Sequence, residues 1–503
     1  MERGTTWVRR AAVVGGCVAA LALLPGCTRF GASLGRPEAP VVLTGSSLPR
    51  LATSDPSRVV GFAWDGKVWH QVPVQVDERD LVNPGVIRHW PESQWHDLPD
   101  GRPFEILVYT TPRAASPGYR WWPTYTPVDR NPKVDADDEV VFLADDTAKE
   151  AAREISRPTG VVKSTEQHVT VTDPLDPKAV GHLYLFRSTT LTGGGAGTTG
   201  VDYDFSLDSG DYLATYRMGQ AALAPNGRDG PNREHSTVTT PTYTASYADR
   251  WVNDGLGAVR EGQAQTPLLE RSMIRTDIDS CGRTEATFTR GGAFIVNVSG
   301  PVRAIRSYIG SNSGYYNSAT DLFYPARQDT VNELRLHKGA GTASFDDLRT
   351  GLSGMTYRDS NGTEAVVDGV PDAVAPTPAS WQMVSGAPGS IITTRAIDTD
   401  ITEGEVTTYY QDQQPADPVP CTGDAAAWGQ HGTRMTGPDG GPLPCTDPTR
   451  YPNNKNCAAI PGRDAPNYAV ALRSRHISPD VRSVADAQTY AERTAAPLTV
   501  SVT

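Results

Sequence analysis

The chain has 503 residues, with 46 Lys and Arg against 58 Asp and Glu, and a formal net charge of -12 at pH 7. An acidic chain without a dense Lys/Arg run is unsuited to neutralising phosphates, so nucleic acid is excluded as a partner. Hydrophobic residues make up 38% of the chain, enough for a core, and the length fits two or three domains.

The N-terminal residues are typical of a secretory signal. Three arginines precede the apolar run AAVVGGCVAALALL, which is shorter than the roughly 20 residues that a membrane helix needs. The run ends at LPGC, which resembles a bacterial lipobox, so residues 1–27 are interpreted as a lipoprotein signal peptide with Cys27 as the lipidated N-terminus. Because Pro25 departs from the commonest lipobox, ordinary cleavage and full secretion is the alternative. We expect export and anchoring to the outer face of the cell membrane.

Residues 28–45 are predicted to be a flexible tether, and residues 46–190 a Trp-rich β region. The runs VVGFAW and KVWHQVPVQV flank the turn pair Asp65-Gly66, which predicts a hairpin. Pro73 in the second arm indicates an edge strand or a bulge. The segment DTAKEAAREI, residues 146–155, is predicted to be a short helix.

Residues 191–411 are predicted to form the main body. Runs rich in Val, Thr and Tyr alternate with turn residues about every ten positions, which is typical of an antiparallel all-β chain. We expect a large antiparallel, supersandwich-like β-sandwich with few short helices. Residues 311–330 connect the predicted strands VRAIRSYI and VNELRLH. This connection is much longer than a hairpin loop of about 2–5 residues, so it is expected to be functional.

Four cysteines remain outside the signal and the lipidation site: Cys281, Cys421, Cys445 and Cys457. An even number in an exported chain predicts two disulfides, with three pairings open. Residues 412–465, rich in Pro and Gly, are predicted to be a disulfide-stapled insertion. Residues 466–503 are predicted to complete the sandwich with strands and a short helix that Ser483 caps.

Carboxylates gather at the ends of two predicted strands. The candidate metal ligands are Asp77, Asp135, Asp137 and Glu139. Alternating acids in a turn offer the hard oxygen ligands that Ca²⁺ prefers, so a calcium ion is the expected cofactor. Two readings remain open beside it: acids that cap strands and solvate turns, or a pair of glycosidase carboxylates.

Aromatic residues are the candidate substrate-binding groups, because flat rings stack on the apolar faces of sugars. They are Trp64, Trp69, Trp121, Trp122, Tyr315 and Tyr324. The alternative is that each tryptophan is part of the core.

Four residues near the long connection are the candidate catalytic groups: Arg306, Tyr316, Arg335 and His337. An arginine that neutralises a uronate carboxylate, with a Tyr or His that removes the neighbouring proton, is the arrangement of a polysaccharide lyase. The alternative is a solvated sheet face on which Glu333 and Arg335 pair.

Two motifs carry a resemblance. VPVQVDE followed by DADDEVVFLADD resembles a pairing in exported bacterial proteins of polysaccharide-degrading systems, and GPVRAIRSYIG resembles a strand of the galactose-mutarotase-like β-supersandwich. The resemblance implies a carbohydrate-associated sandwich in which Gln75, Asp77 and the turn at residues 135–139 organise a core corner or an ion site. The sequence VDADDE stands where such proteins have a glycine-rich DxDGDG loop.

The function predicted from these features is a surface-anchored protein that acts on extracellular polysaccharide, as a polysaccharide lyase or a glycoside hydrolase. The alternative is a non-catalytic lipoprotein that binds glycan or cell wall. No cofactor other than Ca²⁺ is expected, and the partners are the polysaccharide and the membrane.

Overall fold

The structure is a computed structural model that describes residues 34–87, 105–111, 119–121, 129–207, 234–247, 253–276, 283–284, 293–309, 318–336, 342–372, 374–399, 404–413, 427–436 and 467–503. Within these ranges, none of the helices has the length and hydropathy needed to cross a bilayer.

The first ten strands are β1 (Pro40–Thr44), β2 (Val59–Trp64), β3 (Trp69–Val72), β4 (Gln75–Asp77), β5 (Arg79–Val82), β6 (Ile106–Tyr109), β7 (Arg120–Trp121), β8 (Glu139–Leu143), β9 (Gln167–Asp173) and β10 (Asp176–Arg187). The next ten are β11 (Asp202–Asp204), β12 (Ser236–Thr239), β13 (Tyr243–Tyr247), β14 (Asn253–Ala258), β15 (Thr266–Thr276), β16 (Arg283–Thr284), β17 (Ala293–Ser299), β18 (Ala304–Ile309), β19 (Ser318–Phe323) and β20 (Arg327–Leu336). The last nine are β21 (Thr342–Leu348), β22 (Met355–Asp359), β23 (Glu364–Val366), β24 (Gln382–Gly386), β25 (Gly389–Thr399), β26 (Glu405–Gln413), β27 (Ala427–Thr436), β28 (Asn467–Ser478) and β29 (Thr499–Val502). Two α-helices complete the described elements, α1 (Pro84–Ile87) and α2 (Val484–Ala495).

The strands form large antiparallel sheets, which confirms the predicted all-β sandwich. A ten-stranded sheet has the order β23-β22-β24-β25-β28-β20-β19-β18-β17-β7, and a nine-stranded sheet has the order β11-β12-β13-β14-β15-β21-β27-β26, with β16 on β15. A three-stranded sheet has the order β1-β8-β4, and a five-stranded sheet has the order β29-β9-β10-β2-β3. We call these two the N-terminal sheets, because all of their strands except β29 come from the first part of the chain. Strands β5 and β6 form a separate pair.

The central strand of the three-stranded sheet, β8, is buried on both faces. In β8, Val140 and Phe142 belong to the core shared with the five-stranded sheet, while Val141 and Leu143 pack against Tyr324 and its neighbours in the ten-stranded sheet. Because alternate side chains of a strand point to opposite faces, a strand covered on both sides has no polar face. This accounts for the unbroken apolar run VVFL. The four sheets are therefore stacked with the five-stranded sheet first, then the three-stranded, the ten-stranded and the nine-stranded sheet.

The hairpin predicted around Asp65-Gly66 is present, with Trp64 opposite Trp69 in the β2–β3 register. The Asp65 side chain accepts hydrogen bonds from the backbone of Lys67 and Val68, which closes the turn. Pro73 ends β3, which is the edge strand of the five-stranded sheet, and the chain then enters β4 in a different sheet. Because proline has no backbone N–H to donate to a ladder, the pairing of β3 ends at Pro73, and the chain passes from the five-stranded sheet to the three-stranded sheet.

The main core lies between the two large sheets. It is apolar at one end of the sandwich, where it includes Tyr243, Phe323, Val384, Ile391 and Ile477. On its outer face the ten-stranded sheet is covered by the three-stranded sheet, by the β5–β6 pair with α1, and by α2. The part between α2 and the N-terminal sheets is open, and Leu472 there is 47% exposed.

The C-terminal segment 466–503 divides between two sheets. Its first strand, β28, lies at the centre of the ten-stranded sheet. Ser483 caps α2 as expected, with its hydroxyl accepting from the Asp486 backbone N–H. The last strand, β29, pairs with β9 in the five-stranded sheet.

Three predicted elements differ from the structure. The flexible tether predicted at residues 28–45 contains the strand β1, and Leu34, Val41 and Leu43 belong to a buried core. Residues 147–155 form no α-helix, because Ala148 and Lys149 make bridges to His182 and Trp64 that hold the backbone extended. The connection predicted at residues 311–330 contains the strand β19 and the start of β20, so its length is overestimated.

Candidate functional site

The two acid-rich turns of the sequence meet in the structure. Strand β4 pairs with β8, and Asp77 lies opposite Glu139. The Gln75 side chain donates to Asp77 at 2.7 Å and accepts from the backbone N–H groups of Val302 and Arg303 at 3.0 and 2.9 Å. This corner therefore joins the three-stranded sheet to the ten-stranded sheet.

Arg303 occupies the corner and takes up both facing carboxylates. Its guanidinium donates to Asp77 at 2.9 Å, to Glu139 at 2.5 Å and to the Tyr324 hydroxyl at 2.9 Å, and its side chain is 1% exposed. Burial would raise the pKa of Glu139, but Arg303 and Arg79 outweigh it and hold that pKa below its usual range. We call Arg303, Asp77, Glu139 and Tyr324 the Arg303 cluster. Its two acids, predicted as metal ligands, are neutralised by arginine.

A second group of acids lies beside this cluster. Glu78, Asp129 and Asp138, which we call the acid centre, each offer an oxygen within 4.8 Å of the others, and all three are at most 3% exposed. Burial, with the neighbouring acids, raises the pKa of Glu78 to about 9. Burial also raises the pKa of Asp138 to about 7 and of Asp129 to about 6. These residues are not among the predicted ligands.

The other two predicted ligands lie at the edge of the acid centre. The Asp135 carboxylate accepts from the Asn131 side chain at 2.9 Å and from the Asp137 backbone at 3.3 Å. The Asp137 carbonyl accepts from Arg79, and burial raises the pKa of the Asp137 carboxyl to about 6. Both residues belong to the turn that carries Asp138.

Arg306, predicted to be catalytic, lies between the two large sheets. Its guanidinium donates to both Glu234 oxygens, at 2.9 and 2.5 Å, and it lies over the Tyr247 ring at 4.0 Å. The side chain is 1% exposed. A cavity beside it, also lined by Tyr247, Asn253 and Arg473, has a volume of about 20 Å³, which is room for about one water molecule and not for a sugar.

Arg306 is part of a polar layer that crosses the sandwich. Five neighbouring strands of the ten-stranded sheet contribute residues in register: Arg306, Asp321, Thr330, Arg473 and Arg395. The nine-stranded sheet contributes a facing row: Tyr247, Asn253, Ser272, Asp346 and His431. Hydrogen bonds join the rows, such as Arg473 to Ser272 at 2.6 Å and Arg395 to Asp346 at 2.7 Å. The layer separates the apolar core from the other end of the sandwich.

His431 in this layer predicts a pH dependence. Burial, together with Arg395 and Arg475 and against the pull of Asp346, lowers the pKa of the His431 imidazole to about 4. The unfolded state, with a pKa near 6.5, then binds the proton first, so stability is full above pH 6.5 and falls by up to about 3 kcal/mol as the pH drops toward 4. Urea unfolding of wild type and His431→Asn across this pH window measures the effect. Parallel curves for the two proteins would contradict it.

The two aromatic residues of the first hairpin lie together. The Trp64 and Trp69 rings are 5.2 Å apart, and both side chains are partly buried. Trp69 also contacts the Tyr184 ring edge-on and donates its indole N–H to the Ser156 carbonyl at 2.8 Å. Trp121 lies in β7, which pairs with β17 in a different sheet from that of the hairpin.

A large open space lies on the outer face of the ten-stranded sheet. This outer cleft, bounded by α2 and strands β20, β25 and β28, has a volume of about 690 Å³. Its lining combines apolar side chains with hydroxyl, amide and charged groups: Leu322, Val331, Leu472, Ser380, Thr394, Thr494, Gln488, Glu492, Arg327 and Asp329. This surface was not predicted from the sequence, because its residues come from five separate stretches of the chain.

Of the other predicted site residues, Tyr324 is 1% exposed and belongs to the Arg303 cluster. Arg335 lies in β20, opposite Tyr468, but its side chain, like that of Trp121, is outside the described part. The remaining predicted residues lie wholly outside the described ranges: Trp122, Tyr315, Tyr316, His337, Cys27, Cys281, Cys421, Cys445 and Cys457.

No protein-family model matches the chain, and no curated protein matches it in sequence. Among solved structures, the chain is similar to the crystal structure of an α-mannosidase from Enterococcus faecalis V583, at 10% sequence identity and a TM-score of 0.33. The match covers 90% of this chain and 47% of that chain, so this chain spans about half the length of the enzyme.

Proposed function

We propose that the protein is an exported glycan-binding protein, held at the outer face of the membrane through Cys27, with an acidic glycan lying in the outer cleft. The observation that carries the proposal is the size and lining of the cleft. Its volume of about 690 Å³ is within the range of about 300–1,000 Å³ that ligand sites have. Apolar side chains beside hydroxyls match a sugar, which has both C–H faces and hydroxyl groups.

Arg327 is the group that favours an acidic sugar. Its Nε donates to Asp329 at 2.7 Å, and Ser474 donates to the same carboxylate at 2.6 Å, which fixes the position of the arginine. Within the described residues, its two terminal nitrogens have no hydrogen-bond partner. A guanidinium held in this way can bind a carboxylate through two parallel hydrogen bonds.

The positions of the acids favour binding over cleavage. A general acid needs a raised pKa and contact with the substrate. In the described part of the chain, the carboxyl groups whose pKa is raised to about 6 or above lie in and beside the acid centre. The cavity next to Glu78 has a volume of only about 10 Å³, too small for a sugar.

Filling the cleft tests the proposal. Ala396 is exposed on β25 and lines the cleft, so Ala396→Trp is expected to fold and to weaken glycan binding at least tenfold. Val366→Trp, at an exposed position on the edge strand β23, is the control and should bind like wild type. The measurement is affinity electrophoresis of residues 28–503 on acidic and neutral polysaccharides.

A second variant tests the nature of the sugar. Arg327→Lys keeps the charge but loses the paired donors, so it should weaken binding of acidic polysaccharides and leave neutral ones unaffected. Unchanged binding by Ala396→Trp would refute the cleft as the site. New reducing ends, or ultraviolet absorbance of unsaturated uronates, would instead show that the protein is a hydrolase or a lyase.

A further inference from the structure

The acid centre draws three carboxylates from separate parts of the N-terminal region. Glu78 follows β4, Asp138 directly precedes β8, and Asp129 comes nine residues before Asp138 in the sequence. One oxygen of each lies within 4.8 Å of the other two. Three buried acids at this separation repel one another unless they are protonated or a cation lies between them.

Three of the six carboxylate oxygens in the acid centre lack donors. Both Glu78 carboxylate oxygens and Oδ2 of Asp129 are buried and have no hydrogen-bond partner, although Glu78 is only 1% exposed. A buried acceptor without a hydrogen-bond partner lowers the stability of the fold by about 1–3 kcal/mol, and by more when it is charged. Oxygens without a donor in this position indicate that a cation, which accepts their lone pairs, binds between them.

The nearby cationic side chains are already engaged elsewhere. Arg79 binds Glu139 at 2.8 Å, Arg130 binds Asp80 at 2.7 Å, and Lys133 lies 3.6 Å from Asp55. In the described ranges, no arginine or lysine side chain is hydrogen-bonded to a carboxylate of this centre. The contrast with the Arg303 cluster is direct, because there arginine neutralises the two acids that lie next to Glu78 and Asp138 in sequence.

The turn that carries Asp138 is held rigidly. Its carboxylate accepts from the backbone N–H groups of Arg79 at 3.0 Å and Asp135 at 2.8 Å, and its carbonyl accepts from Gly45 at 2.8 Å. A Cβ at Gly45 would lie 1.6 Å from the Asp135 carbonyl oxygen, so only glycine allows this close approach. Hydrogen bonds from two amides leave lone pairs on both Asp138 oxygens.

We propose that Glu78, Asp129 and Asp138 bind a Ca²⁺ ion that joins the end of β4 to the start of β8. Calcium–oxygen distances are about 2.3–2.6 Å, so two oxygens bound to one ion lie within about 5 Å of each other, as they do here. A set of carboxylate oxygens suits a hard cation and not zinc. Calcium accepts bidentate carboxylates and gives up water more readily than magnesium, which fits a buried site.

The ion would also support the contact between layers. Glu78 and Asp138 adjoin Asp77 and Glu139, which bind Arg303 of the ten-stranded sheet. An ion that holds Glu78 and Asp138 in place also holds the backbone next to them, which positions Asp77 and Glu139. Calcium is therefore expected to stabilise the attachment of the N-terminal sheets to the main sandwich.

Terbium luminescence and calorimetry test the site. Residues 28–503, which include every described residue, are treated with chelator and titrated with Tb³⁺, a luminescent analogue of Ca²⁺. Tyr109 and Tyr119 line the small cavity next to Glu78, so excitation of tyrosine should sensitise the bound ion. We expect one ion per chain, displacement of Tb³⁺ by Ca²⁺, at least tenfold weaker binding of Mg²⁺, and a melting temperature that falls in chelator and recovers with Ca²⁺.

Variants identify the ligands. Glu78→Gln and Asp129→Asn should each lower calcium affinity at least tenfold, whereas Glu364→Gln, at an exposed glutamate on β23, should stay within twofold of wild type. Two variants are used so that a folding defect in one leaves the other informative. Absence of calcium binding and of a calcium-dependent melting shift in wild type would overturn the proposal. Unchanged affinity in both variants, or equal affinity for Mg²⁺, would overturn the assignment as well.

Discussion

Replacing Asp346 by asparagine is expected to lower the free energy of unfolding by about 3–5 kcal/mol, because it leaves buried arginines without their anion. Asp346 is fully buried and is bound by Arg395 at 2.7 Å and by Arg475, with Arg473 at 3.5 Å. Burial would raise the pKa of Asp346, but these three arginines outweigh it and hold the pKa far below its usual range. The measurement is equilibrium unfolding in urea at pH 7.

The control for this substitution is Asp176→Asn, which removes the same charge from an exposed position and should change stability by no more than about 0.5 kcal/mol. A double variant, Asp346→Asn with Arg475→Met, should recover part of the loss because it removes one unpaired cation. A loss below about 1 kcal/mol for Asp346→Asn alone would show that the polar layer contains water or anions that replace the carboxylate.

Replacing Arg303 by methionine is expected to cost about 3–5 kcal/mol, because it strands Asp77 and Glu139 in a buried corner. Methionine keeps much of the volume of the side chain and loses only its donors. The effect should be concentrated at the junction of the three-stranded and ten-stranded sheets, where Tyr324 also loses its partner. Urea unfolding gives the total loss, and hydrogen exchange of β4 and β8 locates it.

A double-mutant cycle separates the ion pair from packing. If Asp77→Asn is combined with Arg303→Met, the double variant should be more stable than the sum of the two single losses predicts. Additive losses would mean that Arg303 acts through its packing against Tyr109 and Tyr324, and not through its charge.

The strand pattern was predicted well where one face of a strand is apolar and the turn chemistry is explicit. The β2–β3 hairpin, the strands at VRAIRSYI and VNELRLH, and the cap of α2 at Ser483 all follow from local sequence. The helix predicted over residues 146–155 is wrong because Ala148 and Lys149 pair with distant strands, and local propensity does not report such contacts.

The acid residues show how strand parity decides the chemistry. Asp77 and Glu78 are adjacent, so they point to opposite sides of the chain, one to Arg303 and the other to the acid centre. The acids form one group in the sequence, and the predicted metal ligands include Asp77 and Glu139, which Arg303 neutralises in the structure. The alternation was visible in VPVQVDE, but the partner arginine lies more than 200 residues away and only the fold brings it there.

The burial of Arg306 was not predictable from one strand. The alternation of VRAIRSYI places Arg306 and Tyr308 on one face, which is correct, but it does not say that this face is the inner one. A polar residue on an inner face is tolerated here because every neighbouring strand adds a polar partner at the same level. Such a layer appears only when the registers of both sheets are known.

The pairing of β29 with β9 sets an order of events during synthesis. Thr499 and Thr172, hydrogen-bonded in the finished sheet, are 327 positions apart in the chain. Until the ribosome has made the final strand, the edge of β9 has no partner, and the loop to be closed is long, which makes folding slow. The five-stranded sheet therefore stays incomplete until the main sandwich, which lies between β9 and β29 in the chain, has been synthesised.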